Sequence, residues 1–134
     1  MHITYQTDMA GVDWAAMKEA VAADDFDNGR TPDQLRRSFT ASFVACVAYA
    51  DGALVGTARA LSDGVCNAYV VDVWTRSDLR HRGIARAMLA TLESRLSGQH
   101  IYLFSDDYAA VYRACGYRDR PVGLEKVVGT WLQA

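Results

Sequence analysis

The chain has 134 residues, of which 51% are hydrophobic and 22% charged, and its formal net charge is −2. This length accommodates one domain with a substantial core but not two independent ones, so we predict a single domain over residues 1–134. The slightly acidic balance argues against a general nucleic-acid-binding surface, which would be basic. The three cysteines are too few and too dispersed for a disulfide framework, and their spacing indicates no zinc site.

The first third of the chain predicts a strand followed by two helices. Ile3–Gln6 could form a first strand, and Asp13 is expected to cap a helix from about Trp14 to Ala23. The segment Thr31-Pro32-Asp33-Gln34 combines an N-cap, a proline at the first helical position and a capping box. A second helix is therefore predicted from there to about Ser42.

The middle of the chain predicts three strands and a long helix. Residues 43–50 and 53–61 are strand-like runs joined by Asp51-Gly52, a strong hairpin signal. Residues 68–74 form an apolar, β-branched run that predicts a buried strand at the centre of the sheet. A helix beginning at Ile84 presents one apolar face and is expected to close at Gly98.

The remaining residues predict a further strand over 100–104, a short helix over about 107–114, and last strands at Tyr117 and over 123–132. Ser105 or Asp106 is expected to cap the short helix. The complete order indicates a mixed α/β sheet rather than a doubly wound one.

Arg80–Ala85 is the candidate binding segment, because a small-residue turn that opens a helix presents free backbone N–H groups and the positive end of the helix dipole. Gly83 allows close backbone approach, and Arg80, Arg82 and Arg86 add positive charge. The segment therefore predicts a phosphate site, the alternative being an ordinary solvated face. Its spacing matches neither the nucleotide-hydrolase loop nor the dinucleotide fingerprint.

Two segments resemble the signatures of the GNAT superfamily of acetyl-CoA-dependent N-acetyltransferases. Arg80-x-x-Gly83-x-Ala85 is similar to the family's Gln/Arg-x-x-Gly-x-Gly/Ala motif, and residues 111–117 are similar to its second signature, a tyrosine-bearing helix that ends in Gly-Phe/Tyr. The resemblance implies an α/β fold of GNAT type. Its central sheet would be mixed and mostly antiparallel, with splayed central strands and about four flanking helices.

A narrower resemblance involves residues 55–63, Asp72-Val73 and residues 103–106. These segments resemble a small bacterial branch that is similar to plastid serotonin-type (arylalkylamine) N-acetyltransferases. This does not fix the acceptor, because one fold serves many acceptors.

The resemblance implies acetyl-CoA as co-substrate. The turn at the start of the helix would hold the pyrophosphate, and the preceding strand would pair with the pantetheine arm, whose amides imitate a neighbouring strand. The expected cofactor-binding residues are Val73, Trp74, Thr75, Arg80, His81, Arg82, Gly83, Ile84 and Ala85.

Acetyl transfer needs an amine in its free-base form and a proton for the departing thiolate. The resemblance makes Tyr112 the general acid, the alternative being a half-buried core tyrosine. Asp72 interrupts an apolar strand, where burial of a charge is costly, so it is a candidate base or amine-orienting carboxylate. A structural pairing of Asp72 with Arg59 is equally open. Trp14, Tyr69 and Trp74 could line an aromatic acceptor pocket or simply pack in the core.

We therefore expect a small cytoplasmic N-acetyltransferase that acts by direct attack of a small-molecule or protein amine. One alternative is a non-catalytic acyl-CoA-binding or sensing module. Another is a tRNA-acetylating toxin, which the acidic balance disfavours. The sequence shows no apolar run long enough to span a membrane and no signal peptide, so a membrane is not expected as partner. The acidic balance argues against a nucleic-acid partner, and a homodimer stays open.

Overall fold

A computed structural model describes residues 1–132 in two compact units, residues 1–104 and a second unit that begins at Ser105. None of the helices in this part of the chain is long and apolar enough to cross a membrane. The elements are β1 (Ile3–Gln6), α1 (Trp14–Ala23), α2 (Pro32–Thr40), β2 (Val44–Ala50), β3 (Ala53–Ser62), β4 (Asn67–Thr75), α3 (Ile84–Glu93), β5 (His100–Tyr102) and α4 (Ala109–Ala114).

The five strands of the first unit form one sheet in the order β1-β2-β3-β4-β5. The first three pairings are antiparallel and the last, between β4 and β5, is parallel. The predicted mixed, mostly antiparallel sheet and its four helices are confirmed. The middle strand is β3 rather than β4, because β1 and β2 lie on one side of β3 and only β5 follows β4 on the other. The Asp51-Gly52 turn, with φ of 50° and 85°, joins β2 and β3 as a hairpin.

The helices α1 and α2 begin at the caps that the sequence predicts. The side chain of Asp13 accepts a hydrogen bond from the Ala16 N–H, and Thr31 and Gln34 form a complete capping box. Both helices pack against one face of the sheet. The buried residues of this core are Val12, Met17, Val21, Leu35, Phe39, Ala45, Val47 and Trp74.

The helix α3 packs across β2 and β3. Gly56 of β3 lies directly beneath it, since a Cβ at this position would come within 3.1 Å of the Met88 side chain. Gly56 pairs with Ala48, and neighbouring Val47 belongs to the core beneath α1 and α2. Because successive strand residues point to opposite faces, α3 covers the second face of the sheet.

The expected strands at Tyr117 and over residues 123–132 are wrong for the part of that segment that the structure describes. Residues 117–132 contain no strand, and their apolar side chains at Val122, Leu124 and Val128 are exposed. Residues 133–134 lie outside the described residues. β-branched and aromatic residues suit a strand, but a strand forms only where another backbone pairs with it, and composition does not supply that partner.

Candidate functional site

β4 and β5 are joined over only three residue pairs, from Asn67 and His100 to Tyr69 and Tyr102. β5 ends there, whereas β4 continues to Thr75. On this side, residues 70–75 of β4 have no strand partner among the described residues. This leaves an open backbone edge next to α3, where an extended molecule carrying amides could pair.

The direction of the backbone groups places two of the three predicted strand residues on this edge. The Arg76 N–H donates to the Val55 carbonyl of β3 at 2.8 Å. Because backbone groups alternate in direction along a strand, Trp74 then faces β3, and Val73 and Thr75 face the open side. The hydroxyl Oγ1 of Thr75 is buried and has no hydrogen-bond partner among the described residues, so it is left for a ligand.

Trp74, which the sequence grouped with the cofactor-binding residues, lies elsewhere. Its side chain is buried in the core beneath α1 and α2, and its Nε1 donates to the Asp24 carboxylate at 2.9 Å. Of the two roles considered for the Trp74 side chain, an acceptor pocket or core packing, the structure shows core packing.

Beyond β4, a short 3-10 turn (Ser77–Leu79) leads into the turn that opens α3. His81 and Gly83 both have left-handed backbones, with φ of 66° and 79°. Gly83 is the N-cap residue and no side chain caps the helix, so the first N–H groups of α3 are open to a ligand. A Cβ added at Gly83 would meet nothing within 4 Å, which leaves free space over the turn.

The residues around this turn differ in how far their side chains are exposed to solvent. His81, Arg82 and Arg86 are exposed, and Arg80 and Ala85 are partly exposed. Ile84 is buried in the core, so only its backbone N–H is available at the turn. The result is a row of open N–H groups at a helix N-terminus with cationic side chains nearby, which suits a phosphate.

Asp72 occupies a β-bulge in β4. Between the Thr57–Trp74 and Arg59–Val71 pairs, Asp72 and Val73 stand opposite Ala58 alone. Asp72 accordingly has a left-handed φ of 56°. Its carbonyl, displaced by the bulge, accepts a hydrogen bond from the Thr57 hydroxyl at 2.8 Å.

The Asp72 carboxylate is held by two arginines. The Nη1 and Nη2 of Arg30 donate to its two oxygens at 2.8 and 2.9 Å, and the Nε of Arg59 donates at 2.6 Å. The structural pairing of Asp72 with Arg59, one of the two alternatives in the sequence analysis, is therefore present. Arg30 forms a second ion pair with the same carboxylate. No local signal identified Arg30, since it lies 42 residues away in the chain.

Burial by itself would raise the pKa of Asp72, but the hydrogen bonds and charges of Arg30 and Arg59 outweigh it, and the pKa is lowered. A carboxylate with a lowered pKa is a poor proton acceptor at neutral pH. The geometry therefore favours a structural role over that of a general base.

Tyr112 lies in the second unit, on α4. Its ring is half-buried and meets the Tyr117 ring edge-on, with centroids 6.0 Å apart. Burial, and to a smaller extent Cys115, raises the pKa of Tyr112, which keeps its hydroxyl protonated at neutral pH. The N-cap of α4 is Tyr108 rather than Ser105 or Asp106, although the Ser105 hydroxyl accepts the Tyr108 N–H at 3.0 Å.

Residues 11–117 match the sequence profile of the acetyltransferase (GNAT) family. A search of curated proteins found no match. Neither this profile nor the structural comparisons support the narrower resemblance to the plastid serotonin-type branch.

Solved structures of acetyltransferases have a similar fold. A GNAT-family acetyltransferase from Xanthomonas campestris pv. campestris gives a TM-score of 0.80 at 23% identity, covering 96% of this chain and 94% of that one. An acetyltransferase from Deinococcus radiodurans gives 0.80 at 24% identity, covering 92% and 87%. A GNAT-family protein from Streptococcus pneumoniae gives 0.80 at 18% identity, covering 95% and 98%.

The Asp72 cluster makes a stability prediction. Asp72→Asn should lower the free energy of unfolding at pH 7 by about 3–5 kcal/mol, because it leaves two buried guanidiniums without their anion. The folded pKa of Asp72 lies below its unfolded value, so its stabilisation is complete above about pH 4 and is lost as the pH falls through the folded pKa. Denaturant unfolding of both proteins between pH 3 and 8 measures this difference.

The matched control is Asp78→Asn, which breaks an exposed ion pair with Arg76 and should change stability little. An Asp72→Asn protein as stable as the wild type, or a difference that grows as the pH falls, would contradict the structural role.

Proposed function

The chain belongs to the acetyltransferase (GNAT) family, and we propose that it transfers the acetyl group of acetyl-CoA to an amine. The observation that carries this proposal is the succession of two open backbone segments along the chain. The unpaired edge of β4 is followed, after the 3-10 turn at Ser77–Leu79, by the uncapped N-terminus of α3. An extended ligand with amides at one end and phosphates at the other fits both.

The pyrophosphate would be bound by the N–H groups of residues 82–85, with the side chains of Arg80, His81 and Arg82 nearby. Val73 and Thr75 would pair with the pantetheine amides as a neighbouring strand would. The buried Oγ1 of Thr75, which has no partner among residues 1–132, supports this arrangement because it gains one from the ligand.

The transfer would proceed by direct attack. The amine nitrogen forms a bond to the thioester carbonyl carbon, the C–S bond breaks, and the thiolate takes the proton of the Tyr112 hydroxyl. The amine nitrogen then loses a proton, which returns to Tyr112 through water, so that the tyrosine is regenerated. Burial raises the pKa of Tyr112, which keeps the hydroxyl protonated but makes it a weaker acid, so the support for this role is the similarity of residues 111–117 to the family's second signature.

Asp72 has a positioning role in this proposal. Its carboxylate is already occupied by Arg30 and Arg59, and its backbone forms the bulge that immediately precedes Val73. The ion cluster would hold the strand edge in the geometry that the pantetheine arm requires.

The phosphate part of the proposal is tested by a pair of glycines, Gly83 at the start of α3 and Gly98 in a turn beyond its end. The helix ends at Glu93 with Ser94 as its C-cap, so the expected end at Gly98 is wrong. Gly83 and Gly98 have the same φ of 79°, and a Cβ at either would meet nothing within 4 Å. Valine at either position should therefore cost similar backbone strain. Gly83→Val should weaken acetyl-CoA binding about tenfold or more by calorimetry, because it disturbs the anion-binding turn, whereas Gly98→Val should not. Equal weakening by both variants would contradict the assignment.

The acid is tested by Tyr112→Phe, which removes only the hydroxyl. The kcat for CoA release should fall by about 100-fold or more, with little change in the Kd for acetyl-CoA, because the hydroxyl acts only in the transfer step. Tyr108→Phe, at the start of the same helix, serves as the matched control and should keep its turnover. Undiminished turnover of Tyr112→Phe, or a large loss of acetyl-CoA binding, would show that Tyr112 is not the acid.

A further inference from the structure

The cluster around Asp72 carries more positive than negative charge. Two guanidiniums share one carboxylate, and the side chains are only 8% exposed for Arg30, 12% for Arg59 and 4% for Asp72. Among the described residues, no second carboxylate forms an ion pair with either arginine. A buried excess charge is costly unless an anion compensates it, so this cluster can accept one further anion.

Arg59 is the arginine with donors to spare. All three nitrogens of Arg30 are used, two on Asp72 and the Nε on the Asp27 carbonyl at 3.2 Å. Arg59 gives only its Nε to Asp72, and its Nη1 makes long contacts of 3.4 and 3.5 Å to the Ser38 carbonyl and the Ser42 hydroxyl. Its Nη2 donates to none of residues 1–132. A guanidinium with a free side of this kind binds a carboxylate well.

An apolar surface adjoins Arg59 on the same face of the sheet. Arg59 lies over the Phe39 ring of α2 at 5.7 Å and beside Val71 in the β3–β4 register. Two residues further along the paired strands, on the same face, a row of apolar and aromatic side chains begins about 7 Å away. These side chains, here called the aromatic row, are 37–69% exposed and comprise Leu61, Tyr69, Tyr102 and Phe104.

From this juxtaposition we propose that the acetyl acceptor is an amine that also bears a carboxylate and an apolar or aromatic body. The inference rests on the proposed acetyl transfer. Arg59 binds the carboxylate, and the aromatic row contacts the apolar body. An acceptor with only an ammonium group would be repelled by the excess positive charge, whereas the carboxylate neutralises it. The carboxylate takes no part in the bond changes of the transfer.

The proposal is tested on the wild-type protein with acceptors that share an amine and a phenyl ring and differ in the group beside the amine. Phenylalanine, its amide phenylalaninamide, and phenethylamine are compared by CoA release with acetyl-CoA in excess. Phenylalanine should have the highest kcat/KM, by about tenfold or more over the amide, since only its carboxylate forms charge-assisted hydrogen bonds with Arg59. The amide is a stringent comparison, because its weaker basicity leaves more of the reactive free amine. Equal or better turnover of the amide overturns the proposal.

The role of Arg59 is tested with Arg59→Met, which should bring the ratio of kcat/KM for phenylalanine to kcat/KM for phenylalaninamide close to one. Arg36→Met, at an exposed arginine of α2 paired with Asp33, should leave the ratio as in the wild type. If Arg59→Met does not fold, Arg59→Lys should give an intermediate ratio, because it keeps the charge and loses the planar fork. An unchanged ratio in the substituted protein excludes Arg59.

A binding measurement separates this inference from the proposed function. Hydrocinnamate, which has the carboxylate and ring but no amine, should bind the wild-type protein saturably in calorimetry and more tightly than hydrocinnamamide. If no amine is acetylated but hydrocinnamate binds in this way, the proposed function fails and the carboxylate site stands. If hydrocinnamate does not bind, or binds no better than its amide, the carboxylate site is excluded.

Discussion

One extra residue in β4 sets the geometry of the candidate site. Asp72 and Val73 oppose Ala58 alone, so β4 is locally bent and more strongly twisted relative to β3. The strand is paired on both sides up to Tyr69 and has one open edge from residue 70 to Thr75, and the bulge lies within this open stretch. Val73 and Thr75 of the open edge and the start of α3 lie at or beyond the bulge.

The bulge needs support from the surrounding residues. Asp72 has a left-handed backbone, and its carboxylate is almost completely buried. Each feature is unfavourable by itself. The bidentate pair with Arg30, the bond from Arg59 and the hydroxyl of Thr57 together compensate them. The same contacts that stabilise the core therefore fix the strand edge, and they leave one guanidinium able to bind an additional anion.

Local signals in the sequence predicted the local structure well. The Thr31 capping box and the Asp51-Gly52 turn each lie within four residues, and the structure forms both as expected. Gly83 was likewise identified from its own neighbourhood, as the residue that opens α3 with a left-handed backbone. Each of these features is decided by backbone conformation and nearby hydrogen bonds.

Features that depend on distant partners were not predicted. An aspartate in an apolar strand identified Asp72 as unusual, but nothing local showed that Arg30 would meet it. The indole of Trp74 belongs to the core because the neighbouring bulge and the packing of α1 and α2 decide its direction. Strands expected over 123–132 have no partner strand in the described residues, and composition cannot reveal that.

The most direct test of the account is amide hydrogen exchange with and without acetyl-CoA. Exchange should slow at Val73 and Thr75 on the open edge of β4 and at residues 82–85 at the start of α3, because these N–H groups would become hydrogen-bonded to the ligand. Amides of β1 and α1 should be little affected. Binding of acetyl-CoA that leaves both segments unprotected would contradict the account.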